Sequence, residues 1–261
     1  MLYYSAMAVL TQGRVRIIRW AAWTAAALGC TWAGLDLWSV HSARARLRDK
    51  PVSEDDRRLR DPNLTDDEWL EIQLRRLEPD DYEGAQYLAW RFNHKNRYDK
   101  SYPLFVQAAN GGMVSSMIQL GWMCKTGTGT PKDPAASYRW YSMARENGNH
   151  WGDLGVADCL EHGIGVPADP RQAFAIYLRL AQLPTEPTSN KLRVVGYASR
   201  HVGRCYQLGI GCASNRAEAV KYLTRAVGIP ETWGADREAY RRLKEMGAPL
   251  PAPPKKSEFW K

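Results

Sequence analysis

Four stretches of the chain superimpose column by column in their apolar and small positions. The first column is small: Gly84, Ser116, Gly152, Ala198. Four residues on stands an aliphatic side chain, Leu88, Leu120, Val156 or Val202, followed at once by a second small one, Ala89, Gly121, Ala157 or Gly203. Three further on comes a bulky or apolar residue: Phe92, Cys124, Leu160, Tyr206. After a short loop a second set recurs: Ser101, Ser137, Ala173, Ala219, then Phe105, Tyr141, Tyr177, Leu223, then Ala108, Ala144, Leu180, Ala226. These offsets gather the positions on one face of an α-helix. Each unit therefore predicts two antiparallel helices. Their tandem recurrence predicts an all-α, α/α superhelical solenoid, because one helical pair cannot bury its apolar face alone.

The loops between paired helices repeat as well. They read Gly127-Thr-Gly129-Thr-Pro131-Lys-Asp133-Pro, then Gly163-Ile-Gly165-Val-Pro167-Ala-Asp169-Pro, then Gly209-Ile-Gly211-Cys-Ala-Ser-Asn215. The first glycine suits a left-handed helix end, and the second is expected to let the turn fold tightly. Asp133, Asp169 and Asn215 are placed to cap the second helix, with Pro134 and Pro170 at its first position. On these residues the chain resembles the Sel1-like repeat family, relatives of the tetratricopeptide repeat, over about residues 82–228. The pattern departs in the first unit, where His94 to Arg97 replace the Gly-x-Gly loop, and in the third, which carries an insertion around Leu183 to Leu192.

Both ends of the array have candidate caps. Thr65 and Glu68 have capping-box spacing before Trp69, Leu70, Gln73, Leu74 and Leu77, predicting a helix over about 66–78. Ala235 to Met246 reads as a short amphipathic helix through Tyr240 and Leu243. Residues 66–248 are thus expected to form the solenoid with its capping helices. Residues 249–261, with Pro249, Pro251, Pro253 and Pro254, are expected to be a disordered tail.

The amino-terminal region breaks the periodicity. Between Arg19 and Asp36 lie sixteen uncharged, mostly apolar residues. Extended through Leu37, Trp38 and Val40, the span 17–40 reaches the roughly 20 residues that cross a bilayer. Residues 1–16 then form a short tail and 41–65 a charged, solvated linker. A signal-anchor helix is one reading. A lipoprotein signal at Ala27-Leu28-Gly29-Cys30 is another, and a cleaved secretory signal or a buried helix a third. The arginines and lysine on the two sides, Arg14, Arg16 and Arg19 against Arg44, Arg46, Arg48 and Lys50, leave orientation nearly balanced. The short amino-terminal tail favours the repeats outside the cytoplasm, in the periplasm.

Composition narrows the chemistry. A net charge of +8 permits acidic partners or anionic headgroups. Without a nucleic-acid-binding motif it does not point to nucleic acid. Cys124, Cys159, Cys205 and Cys212 lie in the repeats. They lack the Cys-x-x-Cys spacing of zinc or redox sites, and read as buried thiols or, for Cys205 and Cys212, a pair that geometry would have to permit. Some exported members of the resembled family carry a disulfide in every repeat, but these cysteines do not follow that arrangement. The histidines (His41, His94, His150, His162, His201) have no ligand spacing, and Glu161-His162 reads as a solvated helix end. Early members of the family were linked to penicillin-type substrates, yet no Ser-x-x-Lys occurs. No cofactor is implied, and the chain does not read as an enzyme.

That leaves binding. In solenoids of this kind the first helices line the concave side, and two residues after the aliphatic column stand Trp90, Trp122, Asp158 and Arg204. These are the expected partner-binding residues, Trp90 and Trp122 as an aromatic platform, with packing between helices as the alternative role for either. Arg91, Met123, Cys159 and Cys205, one position further, are second candidates for the groove. The resemblance implies a protein partner in the groove. Some exported Sel1-like repeat proteins are immunity proteins against type VI secretion lipase effectors; others scaffold or restrain envelope signalling and wall-modifying complexes. A wall-acting hydrolase and a cytoplasm-facing adaptor are the remaining alternatives.

Overall fold

Capping residues and glycines cut the repeat region into short rods of nearly constant length. A computed structural model gives the structure of the protein and describes residues 53–184, 191–229 and 235–251. The chain divides into two units, Met1–Pro62 and Asn63–Lys261. In the first, the expected linker contains one helical turn, α1 (Glu54–Arg58), capped by the Ser53 side chain accepting from the Asp56 amide. The candidate membrane span, the lipobox at Cys30 and the tail beyond Pro251 lie outside the described residues. Among the described residues no helix is long and apolar enough to cross a membrane.

The second unit is all helical among its described residues: α2 (Asp66–Arg76), α3 (Tyr82–His94), α4 (Tyr98–Asn110), α5 (Val114–Thr126), α6 (Pro134–Glu146), α7 (His150–His162), α8 (Pro170–Ala181), α9 (Lys191–Leu208), α10 (Arg216–Val227) and α11 (Ala235–Glu245). Four antiparallel pairs, α3–α4, α5–α6, α7–α8 and α9–α10, stack in order, with α2 before them and α11 after. The Thr65–Glu68 capping box that opens α2 is formed in both directions. α9 starts five residues ahead of the position its partners would predict, which the insertion before it makes room for.

Burial follows the columns. Every column position is buried except Gly84 and Tyr206, which are half-buried. Each loop rebuilds the same bonds: the amide of Asp133, Asp169 and Asn215 donates to the carbonyl of Cys124, Leu160 and Tyr206, at 2.9, 2.8 and 2.9 Å. The same three side chains then accept amides of the next helix's first turn. In the first pair, Asn96 takes the left-handed conformation in place of glycine (φ 58°), a role asparagine tolerates better than most residues.

The second loop glycine does more than tighten a turn. A Cβ on Gly165 would overlap the carbonyl oxygen of Pro134, and one on Gly211 that of Pro170. Each loop thus rests on the first residue of the preceding pair's second helix, so this glycine sets the spacing between repeats. The ring of Tyr141 makes a second close contact, filling the side-chain space that both Gly121 on α5 and Gly155 on α7 leave open. First helices α5 and α7, and α7 and α9, pack on one another, while consecutive second helices meet at most marginally among the described residues. The array therefore curves toward its first helices.

Gly165→Ala should lower unfolding free energy by at least about 2 kcal/mol, combining a left-handed backbone with overlap against a carbonyl. Gly148→Ala, at a similar φ of 73° with nothing near its side, should cost only about 1 kcal/mol. Urea denaturation of the two variants checks the difference.

Candidate functional site

The solenoid register decides what each first-helix side chain meets. Residues two after the aliphatic column face the preceding first helix; residues five after it (Asn93, Lys125, Glu161, Gln207) face the following one. The result is a series of polar rungs. Lys125 on α5 pairs with Asp158 on α7, Glu161 on α7 pairs with Arg204 on α9, and Gln207 on α9 accepts from Arg242 on α11 at 3.1 Å. Before them Asp66 on α2 pairs with Arg91 on α3.

The four expected partner-binding residues therefore divide. Asp158 is engaged by Lys125 and lies 3.3 Å from His162. Arg204 is engaged by Glu161. Trp90 is half-buried, its ring edge-on to Phe105 at 5.2 Å. Trp122 stays 41% exposed. The rings of Trp90 and Trp122 are not in contact, so the two do not form one platform. By register Trp122 faces Asn93, whose side-chain oxygen is buried without a hydrogen-bond partner.

Other expectations are corrected. Met123, Cys159 and Cys205 are buried, not in the groove, because position three after the aliphatic column turns back toward the core. Cys124, Cys159, Cys205 and Cys212 are all free thiols, so the Cys205–Cys212 pair is not formed. Burial raises Cys159 to about 11 and Cys205 to about 12. Both are protonated at neutral pH and inert as nucleophiles. Glu161 is not a solvated helix end: its side chain is 5% exposed, held by Arg204 and by the Tyr177 hydroxyl at 3.3 Å. A buried pair of this kind adds little net stability, but losing one member costs about 3–5 kcal/mol. Its main effect is to fix α7 against α9.

His201 completes this cluster. It occupies the position that Gly155 holds one repeat earlier, and its ring stacks on Tyr177 at 4.5 Å, with 12° between planes. Nε2 lies 3.2 Å from Arg200 Nη2, and Nδ1 lies 3.4 Å from Arg204 Nη2 and 3.9 Å from Glu161 Oε2. A neutral imidazole can accept from only one of these two guanidiniums, and the shorter contact favours Nε2 accepting from Arg200. Burial first, and the two guanidinium charges next, hold the imidazole pKa well below its ordinary value.

The same face extends toward the helix N-termini. Seven residues before Asp158 and Arg204 stand Trp151 and Tyr197, edge-to-face at 5.5 Å. Arg193 lies over the Trp151 ring and Arg200 over Tyr197, at 5.7 and 5.5 Å. The two columns read from the sequence did not include these four, although Tyr197 and Arg200 stand seven and four before Arg204, Arg193 four before Tyr197, and Trp151 seven before Asp158, spacings that keep each on the same helix face.

Comparisons agree with this architecture. The Sel1 repeat family matches residues 114–149, 153–184 and 196–227, the pairs α5–α6, α7–α8 and α9–α10. The match does not include α3–α4, which keeps the column register without the glycine loop. Among curated proteins none gives a significant match. A solved Sel1 repeat protein from Oxalobacter formigenes is 20% identical, with a TM-score of 0.51 over 70% of this chain and 74% of its own. A protein described as a sel1 repeat protein from Klebsiella pneumoniae subsp. pneumoniae is 18% identical, with a TM-score of 0.50 over 72% and 86%. At such identities the likeness is one of fold.

The unfolded chain protonates a histidine near pH ~6.5, whereas folded His201 resists the proton. Stability should therefore fall by about 1–2 kcal/mol more between pH 8 and pH 5 in the native protein than in His201→Phe, which keeps a ring against Tyr177. Urea titrations at both pH values test this; equal falls would contradict it. Columns, loops and family match converge on the same three helical pairs: residues 114–149, 153–184 and 196–227 match the Sel1 repeat.

Proposed function

We propose that the chain is a non-enzymatic scaffold that grips another protein on the face formed by its first helices. The observation that carries this reading is Trp122, 41% exposed on a face where Asp158 and Arg204, its counterparts in the next two repeats, are engaged in rungs. A large aromatic left outside on a rigid inner face is the residue type that dominates binding energy when a partner covers it.

The finer reading places the scaffold in a bacterial envelope. Residues 17–40 tether it to the inner membrane by a single pass, with the repeats in the periplasm. Its partner is a toxin or effector, specifically a lipase-type effector delivered by type VI secretion, which makes the protein an immunity protein. A tether suits that role because it keeps the binder beside the membrane such an enzyme attacks. Scaffolding or regulation of envelope signalling or cell-wall complexes is the second reading. A cell-wall hydrolase has less support, since Cys159 and Cys205 are buried as protonated thiols and Glu161 is paired with Arg204.

Trp122→Ala in the full-length, detergent-solubilised chain should weaken capture of its partner by at least about tenfold with helix content unchanged; undiminished capture would overturn the binding face. A phosphatase reporter that is active only outside the cytoplasm, fused after Lys261, should be active. An inactive phosphatase beside a fluorescent cytoplasmic fusion would overturn the topology.

A further inference from the structure

The array is electrically uneven. Residues 63–110 carry nine acidic and six basic side chains, whereas residues 191–251 carry eleven basic and five acidic. Most of the inner-face charges are matched in rungs, but two on α9 are not. Arg193 and Arg200 have no carboxylate within ion-pair distance among the described residues. Glu238 on α11 lies near Arg200, yet its oxygens are taken by Arg241 and Arg242. The Arg200 Nε is buried and has no hydrogen-bond partner, and burial lowers the pKa of this guanidinium, both signs of a cation short of a counter-charge.

The two arginines are held, not loose. Each lies over an aromatic ring, Trp151 and Tyr197, and those rings lock edge-to-face. One face of each ring is thus covered by guanidinium, and the exposed Arg193 with the half-buried Arg200 adds N–H donors to the surface. Those donors favour an anion held by forked hydrogen bonds. Seven residues of helix separate the arginines, a rise of about 10 Å. Carboxylates three residues apart on a polyproline II segment lie on one side of it and span about 9 Å, close to the same distance.

We propose that Arg193 and Arg200, on the Trp151–Tyr197 pair of the inner face, receive an acidic segment of the partner protein, with Asp or Glu side chains spaced by three residues. The assignment rests on the scaffold reading above and names the chemistry of its partner.

The test uses the full-length chain in detergent and a fluorescein-labelled peptide of Glu-Ala-Ala repeats, followed by fluorescence anisotropy. Native protein should bind this peptide and not a Lys-Ala-Ala counterpart, with affinity falling as salt rises. Arg193→Gln with Arg200→Gln should weaken binding by at least about tenfold, the loss expected when two charge-assisted hydrogen bonds go. Arg139→Gln with Arg171→Gln, the same charge change on exposed positions of the second helices, should change it less than about threefold. Arg193→Gln alone, at an exposed position, keeps the test valid if the Arg200 change disturbs folding, and should still weaken binding. Equal losses in the two double variants, or no preference for the acidic peptide, would overturn the proposal. Tighter binding of single-stranded DNA or phosphatidylglycerol vesicles through the same arginines would overturn the occupant. If the peptide fails while partner capture still depends on Trp122, only this inference falls; if both fail, the scaffold reading falls with it.

Discussion

The stack depends on backbone brought close to backbone where no side chain intervenes. Gly165 over the Pro134 carbonyl and Gly211 over the Pro170 carbonyl fix the step from one pair to the next. Tyr141, filling the space beside Gly121 and Gly155, fixes the first helices against the second. Close-packed interiors transmit such constraints over their neighbours. With the step set, residues two and five after each aliphatic column are brought face to face across consecutive first helices, and the polar rungs follow as a consequence.

That geometry changes the meaning of the inner-face residues. A column that reads as a partner-binding stripe is largely internal wiring: Asp158 and Arg204 serve the solenoid's own cohesion through Lys125 and Glu161. Binding capacity is left where the wiring is incomplete. Trp122 faces an asparagine whose oxygen has no partner. Arg193 and Arg200 sit on aromatic rings with no carboxylate in ion-pair range among the described residues. Two incomplete places on one curved face suit a partner that is long and extended more than a small ligand.

Much of this was legible in the sequence. The periodic columns, the capping aspartates and the loop glycines are local signals, and local signals survive without tertiary knowledge. Contacts between repeats were not legible, because they depend on the angle at which neighbouring pairs meet. Glu161 illustrates this: at a helix end it reads as solvated, and only the approach of α9 buries it against Arg204 and Tyr177. His201 shows the same limit. It replaces Gly155 in the register, and nothing in its own sequence context says that Tyr177 will stack upon it. The role of Gly165 was half legible, since its left-handed backbone is a sequence signal and the Pro134 carbonyl beneath it is not.

The central claim is that the first-helix face is where the partner sits. A photo-crosslinking phenylalanine analogue placed at Trp122, on that face, and separately at Met143, 38% exposed on a second helix, tests it directly. The account predicts a covalent adduct with the partner from the Trp122 position and none from Met143. An adduct from Met143 with none from Trp122 would contradict it.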